Sequence, residues 1–219
     1  MVRPRLRLVL AVSLDGRLAP AEGGAAQLGG RGDRRRLEDA LAWADAALVG
    51  AQTLRSHGTS CLIHAADLLR HRRQMGLPPQ PPVLVWSRSG ILPADLPFFR
   101  QPFERWLLMD AAQISSSTEV KGFGKIVPFD AWPPVLARLG ALGLRRIAVL
   151  GGGRLAAALV AAGALDELQL TLCPTLLGGE HLWLPLNALG DRAIRWRLVE
   201  RAQLEGGDQL LRYERRSGT

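Results

Sequence analysis

Apolar and polar positions follow two rhythms along this chain, one near period two and one near 3.6. Leu6 to Ser13 is an almost unbroken apolar run closed by Asp15-Gly16, the pattern of a strand buried on both faces. The glycine-rich stretch APAEGGAAQLGGRG follows. Leu37, Leu41 and Ala44 then recur at helical spacing, which predicts a helix over 34–44 with Asp33 as its cap. AALVG (46–50) reads as a short strand ending at a glycine. AADLLRHRRQM (65–75) reads as a helix stopped by Gly76 and the PPQPP segment. Strands are expected at 82–87, 105–110 and 125–129, and a helix from Pro133 to Leu142. RIAVL (146–150) is a strand that enters three glycines, and a helix follows over 154–162. ELQLTLCP (167–174) alternates as a strand, and two alternating stretches around Glu205-Gly206-Gly207-Asp208 predict a closing hairpin.

Strands and helices alternate through most of the length. The fold class is therefore α/β: a mixed, mostly parallel sheet flanked by helices, with a C-terminal antiparallel hairpin. No internal repeat is present. Each side of the proline-rich segment carries too few elements to bury a core alone, so residues 1–219 are expected to form one domain.

Composition narrows the choice of partners. The chain is 47% hydrophobic with a formal net charge of +8, which fits a folded protein that favours anionic ligands. The excess is arginine, the only lysines being Lys121 and Lys125, and no run of five or more like charges occurs. Specific nucleic-acid binding is not expected from so dispersed a charge. Cys61 and Cys173 make no disulfide framework, and neither they nor the four histidines have metal-ligand spacing. Asp15-Gly16-Arg17 interrupts the first apolar run, so a strand explains that run better than a signal peptide does. No stretch approaches the roughly 20 apolar residues of a membrane span. The expected location is the cytoplasm.

Gly151-Gly152-Gly153-Arg154-Leu155-Ala156 satisfies G-x-G-x-x-[GA]. Backbone amides at such a turn and at the following helix start suit a phosphate. The Rossmann version also requires an acidic residue at the end of the next strand, where this chain has Cys173-Pro174. That reading fails, leaving a phosphate loop of another type or a plain turn. LVGAQTL supplies a second junction, with Gly50 at a strand end and Thr53 just beyond. Junctions at carboxyl ends of parallel strands face one rim, where ligands of open α/β sheets bind.

LVLAVSLDGRLA, RRRLEDALAWADAALVGAQTLR and IAVLGGGRLAAALVAAGALDELQLTLCPTLLGG stand in this order along the chain. They resemble, respectively, the SLDG strand, the helix–strand–VGxxT segment and the EGG loop with its DEL…P.LLGG strand of the riboflavin-biosynthesis pyrimidine reductases. Those are dihydrofolate-reductase-like domains that form the carboxyl half of a bifunctional deaminase-reductase or stand alone. The resemblance covers essentially the whole chain. It implies reduction of a small phosphorylated aminopyrimidine riboside by NADPH, in a homodimer, with pairing to a separate deaminase left open. Gly151, Gly152, Gly153 and Arg154 match the family's phosphate loop, and Gly50 with Thr53 its other cofactor turn. Ser87 and Arg88 follow the strand where the family meets the adenosine 2′-phosphate, although Arg88 reads equally well as a solvated loop residue. Ser13 and Asp15 match positions beside the nicotinamide and substrate, and Asp15 reads equally as a turn aspartate that orders its own loop.

The departures from the family lie on the substrate side. In the family the sugar opens before its first carbon takes a hydride, which requires acid–base groups nearby. The usual lysine four residues before the serine is Val9, the ADDP segment is Ser56-His57-Gly58-Thr59, the glutamate before the paired glycines is Leu150, and a loop threonine is Gly29. His57 is the ionisable side chain left in that segment, and imidazole is the side chain suited to proton transfer near neutrality. His57 and Asp15 are the candidate catalytic groups, with a loop histidine of no task as the bland alternative. The losses keep two other readings open: the same fold reducing a different small anionic substrate, and a non-catalytic NADPH-binding or assembly protein.

Overall fold

A computed structural model of the chain describes residues 2–24, 28–114, 120–190 and 193–216; residues 25–27 of the glycine-rich stretch lie outside these. In chain order the elements are β1 (Arg5–Ser13), α1 (Arg31–Trp43), β2 (Ala46–Gly50), α2 (Ala51–His57), α3 (Ala66–Gln74), β3 (Val83–Ser87), β4 (Arg105–Asp110) and β5 (Lys125–Phe129). They continue with α4 (Trp132–Ala141), β6 (Arg146–Val149), α5 (Gly153–Ala161), β7 (Glu167–Cys173), β8 (Trp196–Gln203) and β9 (Gln209–Arg215). The chain divides into two compact units, Met1–Pro4 with Glu38–Ala148 and Arg5–Leu37 with Val149–Thr219. The expected class is borne out: parallel strands dominate, helices intervene, and an antiparallel hairpin closes the chain. Among the described residues no helix is long and apolar enough to cross a membrane.

In the first unit the strand order is β5-β4-β3-β2-β6, and β2, β3, β4 and β5 pair in parallel. Val83, Leu84, Val85, Leu107 and Leu108 are all at most 1% exposed, as continuous apolar strands covered on both faces should be. Three polar side chains, Glu38 and Arg72 buried and Asp45 half-buried, seat the connections. Glu38 accepts the amides of His64 and Ala65, both at 2.8 Å, at the start of α3. Asp45 accepts the amides of Arg145 and Arg146 where β6 begins. Arg72 is fully buried and donates to the carbonyls of Leu41, Ala42 and Ala44 at 3.2, 3.2 and 2.7 Å. A cation thereby completes the carbonyls at the end of α1, where the helix dipole favours it.

The second unit has the order β1-β7-β9-β8, with β1 parallel to β7 and the remaining pairs antiparallel. Glu167, 2% exposed, accepts from Arg5 Nε at 2.5 Å, Arg7 Nε at 2.7 Å and Arg212 Nη1 at 3.3 Å. Arg212 also donates to Glu200 at 3.0 Å. One buried carboxylate therefore ties β1 and β9 to β7, and Arg212 extends the tie to β8.

Two expectations change. Helix α1 begins at Arg31, because the Arg34 amide already bonds the Gly30 carbonyl at 3.0 Å. Asp33 thus lies inside the first turn and is not the cap. The segment after Gly50 is a helix, α2, and not a turn. Only Ala51 and Leu54 of its seven residues are buried, too few to display a period.

Burial alone would raise the Glu167 carboxyl, but Arg7 and Arg5 outweigh it and hold its pKa below the usual 4.5. The stability this contributes is complete above the unfolded-state value and is lost as pH falls through the lower folded-state value. Glu167→Ala should cost about 3 kcal/mol at pH 7 by urea unfolding, since it strands arginines around an emptied position. Glu167→Gln should remove the corresponding part of the acid dependence. Wild-type stability in the alanine variant would show that the cluster only decorates the surface.

Candidate functional site

In the second unit, β1 ends at Ser13, which is fully buried. Its hydroxyl donates to Asp15 Oδ1 at 2.5 Å and accepts the Arg17 amide at 2.8 Å. Asp15 also accepts the amides of Leu177 and Gly178 at 3.2 and 2.8 Å. The hydrogen bond from Ser13, helped by those two amides, lowers the Asp15 carboxyl to about 2. It is an anion throughout the neutral range, and its acceptor positions are used to hold the loop after β7. The loop-ordering role of Asp15 is visible here: it joins the turn after β1 to the segment at 177–178. Arg17 adds hydrogen bonds to the carbonyls of Asp15 and Gly179.

The glycine loop, residues 150–153 of the same unit, leads into α5. Gly151 and Gly152 have φ of +72° and +88°, a region where a side chain is strained. A Cβ on Gly151 would meet Leu10 Cδ2 at 2.9 Å, and one on Gly153 the Leu182 carbonyl oxygen at 2.6 Å. The backbone carbonyl of Leu182 therefore demands glycine at 153, and positive φ favours it at 151. Gly152 caps α5 without a side-chain hydrogen bond, which leaves first-turn amides for an anion. Arg154, in that first turn, is exposed.

Sequence periodicity did not reveal a carboxylate pair beside the end of β7. Asp33 accepts from the Thr171 hydroxyl, and burial, assisted by the charge of Asp208, raises its pKa. Asp208 is 5% exposed and accepts the Gly30 amide at 3.0 Å. Burial and the nearby Asp208 push the Cys173 thiol up to about 11, so that sulfur stays protonated.

In the first unit, Gly50 caps α2 in an extended conformation (φ −80°, ψ 143°) with no side-chain hydrogen bond. Thr53 lies on that helix, and His57, its last residue, is one turn further and exposed. At the carboxyl ends of β3, β4 and β5 a pocket of about 190 Å³ is lined by Trp86, Ser87, Arg88, Asp110, Phe129 and Asp130. Trp86 and Phe129 pack with Trp132 at centroid separations of 5.0 to 5.6 Å. Ser87 accepts the Gly90 amide at 3.1 Å, and Arg88 is exposed. Arg138 binds Asp130 through both carboxylate oxygens, at 3.0 and 2.7 Å, and holds its carboxyl down at about 2. Ser87 and Arg88 thus share one pocket with an aromatic wall and two carboxylates that sequence reading did not attach to them.

The sequence profile described as the RibD C-terminal domain matches residues 4–209. The chain belongs to that family. It is accordingly an oxidoreductase of the riboflavin-pathway pyrimidine reductase group. A 2,5-diamino-6-ribosylamino-4(3H)-pyrimidinone 5′-phosphate reductase from Archaeoglobus fulgidus is 24% identical over 185 residues, covering 81% of this chain and 84% of the relative. RibD of Acinetobacter baumannii superposes with a TM-score of 0.80 at 21% identity, over 98% of this chain and 59% of that one. A dihydrofolate reductase from Enterococcus faecalis, complexed with NADP(H), gives a TM-score of 0.57 at 14% identity with 97% of each chain covered. The dihydrofolate-reductase-like fold follows. Against this family background Val9 and Leu150 are each 9% exposed, so apolar side chains stand at two positions where charged ones are usual. Gly29 has φ +79°, with Asp33 against the space a Cβ would take, so a threonine is not accommodated there.

Replacing Asp15 by Asn should loosen the loop it holds, because a neutral amide accepts more weakly than a carboxylate. The Leu177 and Gly178 amides should then exchange with deuterium faster than in the wild type. Unchanged protection would mean that other contacts hold the loop.

Proposed function

We propose that the protein is an NADPH-dependent reductase acting on a ribosylaminopyrimidine 5′-phosphate of the kind named for its relatives. The observation that carries this reading is the family match across 206 of the 219 residues, counted from 4 to 209 inclusive. Each unit supplies a feature that supports this reading: in the second, uncapped amides at the start of α5 and glycines that hold that turn open, and in the first, an arginine-bearing pocket with an aromatic wall. NADPH supplies a hydride when bound. Gly151, Gly152, Gly153 and Arg154 hold its diphosphate, and Gly50 with Thr53 supply its second cofactor turn. Ser87 and Arg88 meet the 2′-phosphate. Ser13 and Asp15 shape the substrate side, Asp15 by fixing the 177–178 segment as an anion. Proton delivery then falls to the imidazole N–H of His57, since a carboxyl at about 2 does not donate near neutrality.

Residues 1–219 act as one domain in this reading, in a cytoplasmic homodimer that works with or without a separate deaminase. A second reading, the same fold acting on another small anionic substrate, is favoured by the buried Val9 and Leu150.

Fluorescence titration should show NADPH binding more tightly than NADH, and equal affinities would remove Arg88 from the site. Gly152→Val should weaken both dinucleotides and also lower stability by about 1–2 kcal/mol, because valine is strained at positive φ. A destabilised variant with normal affinity would make the loop a turn only. Turnover of the aminopyrimidine riboside phosphate should be slow, and His57→Ala should reduce it by a further factor of about 10²–10⁴. Undiminished turnover in that variant would assign the proton to water or the substrate. One calorimetric unfolding transition is expected for the single domain, whereas two separated transitions would divide it.

A further inference from the structure

A second charged cavity, independent of the reductase reading, lies wholly within the second unit. It has a volume of about 530 Å³ and is lined by Arg5, Asp166, Arg197, Glu214, Arg215 and Arg216. Four guanidinium groups against two carboxylates leave a formal charge of +2 on the lining, from 4 − 2. No aromatic or aliphatic residue lines it, so nothing there would hold a base or an acyl chain.

Three of the arginines are held in place by groups that use only part of their donor capacity. Glu214 accepts from Arg5 Nη2 at 2.8 Å and from Arg197 Nη2 at 2.7 Å, fixing two guanidinium groups on one carboxylate. Arg5 is further held by Glu167 at 2.5 Å, and Arg215 Nη1 by the Gly163 carbonyl at 2.5 Å. The Arg216 main-chain amide bonds the Arg195 carbonyl at 3.2 Å, and its side chain meets no carboxylate among the described residues. A guanidinium carries five N–H donors. One or two of them are engaged on each of Arg5, Arg197 and Arg215 among the described residues, and the rest remain for a ligand. Side chains fixed in advance lose less entropy on binding an anion. Several guanidinium groups spread over one cavity suit several linked phosphates better than a single one.

The position separates this cavity from the candidate active site. Arg5 opens β1 and Ser13 closes it, so the two ends of the strand lie about 26 Å apart at roughly 3.3 Å per residue. We infer that the cavity at the amino-terminal end of β1 is a second anion site, which takes a linear polyphosphate chain, free or as the tail of a nucleotide.

Isothermal titration of the full chain with inorganic tripolyphosphate at low salt tests this. Binding should weaken roughly tenfold for each arginine removed in Arg197→Ala and in Arg197→Ala/Arg216→Ala. Arg216→Glu, at an exposed position, should do the same without touching Glu214, and matched melting temperatures should accompany all three variants. In Gly152→Val the tripolyphosphate binding that responds to the arginine variants should persist, whatever that variant does to binding at the glycine loop. ATP binding comparable to tripolyphosphate admits a nucleotide tail as ligand, and much weaker ATP binding points to a free chain; both support the site. Unchanged affinity in the arginine variants would overturn it, as would loss of binding in Gly152→Val, which would move the anion to the glycine loop. Inorganic phosphate binding as tightly as tripolyphosphate would overturn the polyphosphate assignment.

Discussion

Glu167 is the residue on which the geometry of the second unit rests. An ionised carboxylate is expensive to bury unless its charge and its lone pairs are answered. Here Arg5 and Arg7 from β1 and Arg212 from β9 answer both. The cluster sits where Arg7 stands opposite Glu167 and Glu167 opposite Glu214. A shift of one residue would turn every side chain to the other face and expose the pair's unmet charges. The same register sets Ser13 beside Cys173 at the far end of the strands, and from there Asp15 reaches Leu177 and Gly178. A charge cluster at one end of β1 thus fixes the hydrogen-bond network at the other.

The first unit pairs its charged side chains with backbone groups instead. Its strands are apolar on both faces, so the loops around them need polar partners from within the chain. Glu38, Asp45 and Arg72 supply those partners to the α3 start, the β6 start and the α1 end. With the connections fixed, the carboxyl ends of β3, β4 and β5 converge on the pocket of Ser87 and Arg88. Arg138 answers the charge of Asp130, which lessens the repulsion that a phosphate would meet there.

On the substrate side the chemistry differs from the usual family pattern. Val9 and Leu150 replace charged groups, and the remaining acids are either committed or buried. Asp15 is committed to its loop as an anion. Asp33 is half-buried beside Asp208, and burial first and that neighbouring charge second raise its carboxyl. Under the proposed function, proton delivery falls to His57, which is exposed.

The sequence by itself determined the class of fold and most of its elements, because long apolar strands and amphipathic helices announce themselves through period and composition. β2, β4 and β5 have the bounds that the apolar runs suggest. The glycine triplet also marked its turn, since positive φ restricts the choice of residue at 151 and 152. Helix α2 was illegible, as seven residues with two buried positions carry no readable period. Asp33 and Asp208 were read as a cap and a turn residue, the local roles their types favour. Only tertiary structure could decide that Asp33 meets Thr171, that Asp15 holds residues 177–178, that Arg72 closes α1, and that Glu167 gathers three arginines. Each of these joins residues far apart in the chain, and a local pattern holds no information about which distant donor a buried polar group will find.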